Sequence, residues 1–156
     1  MANTYTQLFV HLVIVVQDRQ SILTKELKEI LYPYISGIIT NRKHKLYVIN
    51  GMHDHIHILV SLSPDDSISD LVKEIKRASS VYINNNQLAK GKFSWQSGYA
   101  AFSCSKSTVD KVIDYINNQE KHHTLKTFSE ELVEFFDKYD IKFDKQYLFD
   151  VIEENK

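Results

Sequence analysis

The chain has 156 residues and a formal net charge of −1, with 43% hydrophobic and 25% charged residues. This length is enough for one domain with a substantial apolar core. The single cysteine, Cys104, excludes an intramolecular disulfide and a cysteine-based zinc site. A near-neutral total charge is unusual for a duplex-DNA binder, so any nucleic-acid contact must use a local basic patch.

The first half of the chain alternates strand and helix patterns. Residues 5–16 are rich in β-branched and aromatic side chains, which predicts a buried strand. Apolar residues at helical spacing then predict a helix from the N-cap Thr24 towards Asn41. Two more strands follow, over residues 46–49 and 55–60, with a turn over residues 51–54.

The second half predicts one further strand and three helices. Ser67 is expected to cap a long helix, residues 98–103 to form the fourth strand, and Ser107 to cap the next helix. Residues 128–139 predict a last amphipathic helix before a short tail. The order β-α-β-β-α-β-α-α predicts an α+β fold, an antiparallel sheet with helices packed on one face, of the ferredoxin-like kind.

Two histidines share one face of the third predicted strand. Side chains alternate along a strand, so His55 and His57 point one way and Ile56 points the other. Imidazole is a common ligand of transition metals, and a harder cation also fits if the remaining ligands are oxygens. The pattern therefore predicts a divalent metal held against a sheet.

A tyrosine and a glutamine provide the rest of this candidate site. Tyr115 and Gln119 are four residues apart, which places both on one face of a predicted helix. A phenol has a pKa of about 10 and is a weak nucleophile, so it needs an electrophile polarised by a metal. The Gln119 amide oxygen completes a site with two histidines. These four side chains suit attack on a phosphodiester.

Several segments together resemble one known family, the IS200-like, TnpA-type transposases of small insertion sequences, which are single-tyrosine HUH enzymes. The resemblance extends over about residues 11–148. It is carried by the His55-Ile56-His57 strand and by the segments FSWQSGY (93–99), YINNQ (115–119), NQEKHH (118–123) and FDKQYL (143–148). Each motif alone is weak, whereas their common order is specific.

The resemblance implies a transposase acting on single-stranded DNA, with one catalytic domain over residues 1–156. Tyr115 would attack the scissile phosphate, giving a 5′-phosphotyrosine link and a free 3′-hydroxyl. His55, His57 and Gln119 would hold Mg²⁺ or Mn²⁺. The family also implies hairpin ends as the DNA partner and a homodimer in which the tyrosine helix can complete the partner's site.

Basic residues offer candidate DNA contacts despite the neutral total. Lys73, Lys76 and Arg77 cluster on the long predicted helix. Arg19 follows the first strand, where the family's usual lysine is replaced within Val15-Val16-Gln17. We expect no membrane association, because the longest apolar run is too short to span a bilayer. The expected location is the cytoplasm of a bacterial or archaeal cell, on the nucleoid when bound to DNA.

Other interpretations of the same residues stay open. Taken one at a time, the histidines, Tyr115 and the basic cluster are also what ordinary surface positions would show. A domesticated relative could process chromosomal hairpins, and a catalytically lapsed relative could bind DNA hairpins without cutting them. A metal phosphoesterase unrelated to transposition is the least favoured alternative, since the chain lacks a second His-x-Ser/Thr motif.

Overall fold

A four-stranded antiparallel sheet forms the centre of the fold. Its strands are β1 (Phe9–Val15), β2 (Lys45–Gly51), β3 (His55–Ser61) and β4 (Ala100–Cys104), in the order β2-β3-β1-β4. The structure is a computed structural model that describes residues 3–17, 22–119 and 128–138. The predicted antiparallel, ferredoxin-like α+β fold is confirmed.

Two long helices cover one face of this sheet. They are α1 (Lys25–Asn41) and α2 (Ile68–Asn85). The Leu27 amide donates to Thr24 Oγ1 at 3.1 Å, and the Asp70 amide donates to Ser67 Oγ at 3.0 Å. Both predicted caps are therefore confirmed, since each hydroxyl satisfies an N–H that has no partner within its helix.

The alternation of β1 and β3 divides the core in two. On the helix-covered face, the strands contribute a buried apolar set that packs against α1 and α2: Val10, Leu12, Ile14, Ile56, Ile58 and Val60. Burial of this kind stabilises by about 25 cal/mol per Å² of apolar surface. The other face of the same strands carries His11, His55 and His57, all buried.

Two further helices lie over this second face. They are α3 (Val109–Asn117) and α4 (Phe128–Lys138), packed on apolar residues of the sheet that include Val13, Val15 and Leu59. Helices on one face were predicted, and α1 and α2 fulfil that prediction. The polar histidine face receives its own helical cover in addition, and that cover encloses the candidate site.

The start of α3 differs from the sequence prediction. Ser107 does not cap the helix; it lies in a 3₁₀ turn (Lys106–Thr108) that precedes α3. Ser105 Oγ lies 3.0 Å from Ser107 Oγ and 3.2 Å from Thr108 Oγ1. These hydroxyls bond to each other and to the local backbone, which favours a tighter turn over a helical cap.

The turn between β2 and β3 brings two backbones into close approach. A Cβ built on Gly51 would lie 2.2 Å from the His55 carbonyl oxygen and 2.7 Å from the Ile56 Cα. Both neighbours are backbone atoms, which cannot move aside without shifting the strand. Glycine is therefore required at position 51 for the histidine strand to start where it does.

A charged cluster fixes the end of α1 to the start of α2. Arg42 donates to both carboxylate oxygens of Asp66 at 2.8 and 2.7 Å, and His44 Nε2 lies 2.7 Å from the same carboxylate. The Ser63 amide donates to His44 Nδ1 at 2.8 Å. The Arg42 hydrogen bonds, with those from His44 and Ser67, lower the pKa of Asp66 well below its usual value.

Among the described helices, none has the length and apolarity needed to cross a membrane.

Candidate metal and nucleophile site

The two predicted histidines lie side by side on β3. His55 and His57 are both fully buried, with ring centroids 5.1 Å apart, and both face α3 and α4. The intervening Ile56 lies in the opposite core. The predicted division of this strand into an imidazole face and an aliphatic face is therefore observed.

His55 is held between a carboxylate and an amide. Its Nδ1 lies 2.7 Å from Asp54 Oδ1, and its Nε2 lies 3.3 Å from Gln119 Oε1. The Phe128 ring of α4 stacks on the imidazole, with centroids 4.1 Å apart and planes at 27°. The ring is thus held by Asp54 on one edge, faces Gln119 on the other, and is covered on a face by Phe128.

His57 contacts a third histidine and a glutamate. Its Nδ1 lies 2.8 Å from His11 Nε2, and its Nε2 lies 3.0 Å from Glu131 Oε1. Burial, and then the charge of His57, lower the pKa of His11 well below its usual value; Glu131 opposes this shift. His11 is therefore a neutral hydrogen-bonding partner near neutral pH.

Gln119 reaches His55 by a different route from the one that the sequence predicted. Helix α3 ends at Asn117, so Gln119 lies two residues beyond it, where its Nε2 donates to the Tyr115 carbonyl at 3.5 Å. The Asn50 side-chain amide donates to the carbonyls of Ile116 and Asn117 at 3.0 and 3.3 Å. This contact from β2 holds the end of α3 against the sheet edge.

Tyr115 lies beside the histidine pair of its own chain. Its ring centroid is 5.8 Å from that of His57, edge to face, and its hydroxyl oxygen is buried. The hydroxyl is close enough to the Glu131 and Gln119 side chains for both to affect its pKa. Burial and the Glu131 charge raise that pKa far above its usual value, which keeps the phenol protonated.

The donor atoms fit a divalent cation. Ligand atoms of His55, His57 and Glu131 all lie within 4.8 Å of one another. Adjacent ligands of an octahedral ion at about 2.1 Å are about 3.0 Å apart, which the 3.3 Å between His55 Nε2 and Gln119 Oε1 approaches. Two imidazoles with oxygen ligands suit Mn²⁺, Mg²⁺ or Zn²⁺. Glu131 is a candidate ligand that the sequence analysis did not include.

Helix α4 covers this arrangement. Phe128 lies on His55, Glu131 on His57, and Phe135 within 5.4 Å (ring centroids) of both His11 and Tyr115. A cavity of about 490 Å³ lies next to Tyr115 between β4, α3 and α4. The Tyr115 hydroxyl oxygen is nevertheless shielded from solvent, so a DNA strand cannot reach it in this arrangement.

The predicted DNA contacts have different surroundings. Lys76 is half-buried and donates to the carbonyls of Gln96, at 2.7 Å, and Gly98, so it holds a loop of its own protein. Arg77 donates to Glu74 at 2.6 and 3.0 Å. Lys73 is exposed on the same helix. Arg19 lies outside the described residues.

Four residues of the site escaped the sequence analysis: His11, Asn50, Asp54 and Glu131. His11 and Glu131 carried a usable signal, because each is a polar residue at a position where the surrounding periodicity predicts a buried apolar one. Asp54 and Asn50 lie beside the turn between strands, where polar residues are ordinary. Nothing local distinguishes those two.

Comparisons with known proteins identify the family of the chain. A family model described as "Transposase IS200 like" matches residues 4–119. The ISDra2 transposase TnpA of Deinococcus radiodurans is 29% identical over 118 residues, 72% of this chain and 84% of that protein.

Two solved structures share the fold. A candidate transposase from Deinococcus radiodurans R1 is 26% identical, with a TM-score of 0.61 over 76% of this chain and 95% of its own. A REP-associated tyrosine transposase bound to a REP hairpin is 17% identical, with a TM-score of 0.62 over 92% of this chain and 91% of its own. The second likeness concerns the fold alone. Because the family model spans well over half of its residues, this chain belongs to the IS200-like transposase family.

Proposed function

We propose that this protein is a metal-dependent single-stranded DNA transposase that uses Tyr115 as its nucleophile. The observation that carries the proposal is the meeting of the Tyr115 phenol with His57, Gln119 and Glu131 in one chain. His55, His57 and Gln119 are the proposed ligands of Mg²⁺ or Mn²⁺, with Glu131 as a further oxygen donor while α4 is in place. Membership of the family supports a DNA-processing enzyme.

The proposed step exchanges one phosphoester bond for another. The Tyr115 oxygen forms a bond to the scissile phosphorus as the bond from phosphorus to the 3′-oxygen breaks. The phenol loses its proton to solvent and the departing 3′-oxygen gains one, so a 5′-phosphotyrosine and a free 3′-hydroxyl result. A divalent cation here supplies charge stabilisation for the phosphate and the departing oxygen. His55 and His57 supply neutral nitrogen ligands to it.

The proposed DNA partner is a single strand with hairpin ends. A buried nucleophile needs a flexible strand that can enter the fold, which a rigid duplex does not provide. The net charge of −1 also disfavours extensive duplex contact. The hairpin bound by the structurally similar REP-associated transposase makes a hairpin the natural first test substrate. We further propose a homodimer, in which Tyr115 acts either in its own chain or in its partner.

The decisive experiment is a search for a covalent adduct. The protein is incubated with end-labelled hairpin oligonucleotides and Mg²⁺ or Mn²⁺, then separated under denaturing conditions. We expect a labelled protein band that disappears with Tyr115→Phe or with chelator, while hairpin binding remains. Tyr34→Phe is the matched control, because Tyr34 stacks on Tyr82 and belongs to α1, on the opposite face of the sheet.

Other outcomes would assign a different function. Cleavage without an adduct would indicate a metal phosphoesterase. Hairpin binding with neither product nor adduct, for any flanking sequence, would indicate a binding protein without catalysis. The shielded, protonated Tyr115 hydroxyl is the observation that favours this second candidate.

A further inference from the structure

We propose that Asp54 and His11 are positioning residues that fix which nitrogen of His55 and of His57 is offered to the metal. The proposal deepens the metal site of the proposed function and rests on it. Asp54 and His11 are 5% and 1% exposed, and each contacts the Nδ1 atom of a different proposed ligand. Both act on the side of the ring that faces away from the other donor atoms.

The contact with Asp54 selects one tautomer of His55. An ionised carboxylate can only accept a hydrogen bond, so the 2.7 Å contact requires a proton on His55 Nδ1. A neutral ring then has its lone pair on Nε2, the nitrogen that faces Gln119 Oε1 across 3.3 Å. A carboxylate behind a histidine ligand orients the ring and makes it a stronger base.

The contact with His11 can stabilise either neutral tautomer of His57. The 2.8 Å contact between His11 Nε2 and His57 Nδ1 requires one nitrogen to donate and the other to accept. His57 Nε2 lies 3.0 Å from Glu131 Oε1. When this nitrogen carries the ring proton, His57 Nδ1 accepts from His11. When Nε2 instead binds a cation, Nδ1 carries the proton and donates to His11 Nε2. Only a side chain that can both donate and accept a hydrogen bond, such as a neutral imidazole, can partner both tautomers of His57.

The same chemistry elsewhere in the chain provides a control. His44 pairs with Asp66 at 2.7 Å and accepts from the Ser63 amide on its other nitrogen. Both ring nitrogens of His44 are therefore used by the protein, and none remains for a metal. His55 and His57 differ because the nitrogens opposite Asp54 and His11 converge on one point.

The test measures histidine tautomers and metal affinity with Zn²⁺ as a diamagnetic probe. Long-range ¹H–¹⁵N spectra of histidine-labelled protein identify the protonated nitrogen of each ring. Calorimetry gives the Zn²⁺ dissociation constant, and the binding event that is lost in His55→Ala is the one assigned to this site. In the wild type we expect His55 protonated on Nδ1 throughout, and His57 protonated on Nδ1 once Zn²⁺ is bound. Asp54→Ala and His11→Phe should each weaken Zn²⁺ binding about 10- to 100-fold, as loss of an outer partner of a metal ligand does.

Conservative and control variants separate positioning from simple stability. Asp54→Asn keeps an accepting oxygen, so His55 should retain its Nδ1–H tautomer and lose less affinity than in Asp54→Ala. Asp66→Asn should leave Zn²⁺ affinity unchanged. A His55 tautomer that is unaffected in Asp54→Ala, or Zn²⁺ affinity within twofold of wild type in both Asp54→Ala and His11→Phe, would overturn the proposal.

The tautomer and Zn²⁺-affinity measurements can be interpreted even if one variant does not fold or the protein forms no adduct with DNA. If Asp54→Ala does not fold, Asp54→Asn and His11→Phe decide: Zn²⁺ affinity within twofold of wild type in both variants overturns the proposal. None of these measurements needs DNA. Absence of a Tyr115 adduct would reject the proposed function and leave the tautomer result standing.

Discussion

If Tyr115 is the nucleophile, its buried hydroxyl requires helix α4 to leave the site before DNA can react, and Leu132→Ala tests this requirement. Leu132 is 1% exposed and packs in the apolar cluster that joins α4 to Val13, Val15 and Phe102 of the sheet. It carries no polar atom, so its truncation weakens docking of the helix without removing a donor from the site. A buried Leu→Ala change costs about 2–5 kcal/mol.

That cost translates into a large change in the population of the open state. If α4 opens as a local unit, a loss of about 2–5 kcal/mol raises the undocked fraction roughly 30- to 5,000-fold. Amide exchange should then accelerate in α4 and at the end of α3, with the sheet and α1 still protected. The rate of adduct formation per folded molecule should rise.

Ile75→Ala is the matched control for this variant. Ile75 is a fully buried residue of α2, on the opposite face of the sheet, so its truncation costs a similar amount without uncovering the histidines. Its adduct rate per folded molecule should remain that of the wild type. A folded Leu132→Ala protein that forms adduct more slowly would refute the reasoning, because α4 would then be part of the reactive site. Uniform acceleration of exchange throughout the domain would refute local opening.

Three further outcomes follow from the structure. Asp66 has a depressed pKa in the folded protein, so its contribution to the free energy of unfolding is present above the unfolded pKa of about 3.9 and is lost as pH falls below that value. In chemical denaturation, Asp66→Asn should therefore lower the free energy of unfolding at pH 7 and lower it progressively less below pH 4. Lys76→Ala should lower the melting temperature, because it removes the donor to two backbone carbonyls. Lys73→Ala should leave the melting temperature unchanged. If Lys73 contacts one phosphate, its removal should reduce the slope of log binding constant against log salt concentration for single-stranded DNA by about 0.7. Mixing Tyr115→Phe with His55→Ala protein should restore adduct formation if the tyrosine acts in the partner's site; no recovery from a mixed dimer would place it in its own.

The fold was predictable where several local signals agreed. For α1 and α2, apolar periodicity and a capping hydroxyl both mark the start, and Thr24 and Ser67 accept the expected hydrogen bonds. In β3 the strict alternation of imidazole and aliphatic side chains allows only one register with a buried aliphatic face. Near Ser107 three hydroxyl residues compete for the same backbone, so sequence alone could not locate the start of α3.

The site was predictable in its residues and less so in its geometry. Family motifs identified His55, His57, Tyr115 and Gln119, which the structure brings together. Helical periodicity wrongly placed Gln119 on α3, because the contact of β2 with the end of that helix is tertiary and leaves no local pattern. Glu131 comes from a helix distant in sequence, so only packing of α4 on the sheet brings it to His57.

Residue 51 controls the position of the two histidines on β3, although glycine has no functional group of its own. The glycine has no side chain with which to bind an ion, yet any side chain there would push against the backbone of His55 and Ile56. Displacing His55 would move the whole strand and so change the reach of the His55 and His57 imidazoles together. In a mutational scan scored by transposition, this site would therefore behave like an active-site residue. Because Gly51 has no side chain to offer an ion, weaker ion binding in a folded variant would show that the damage acts through the displaced imidazoles.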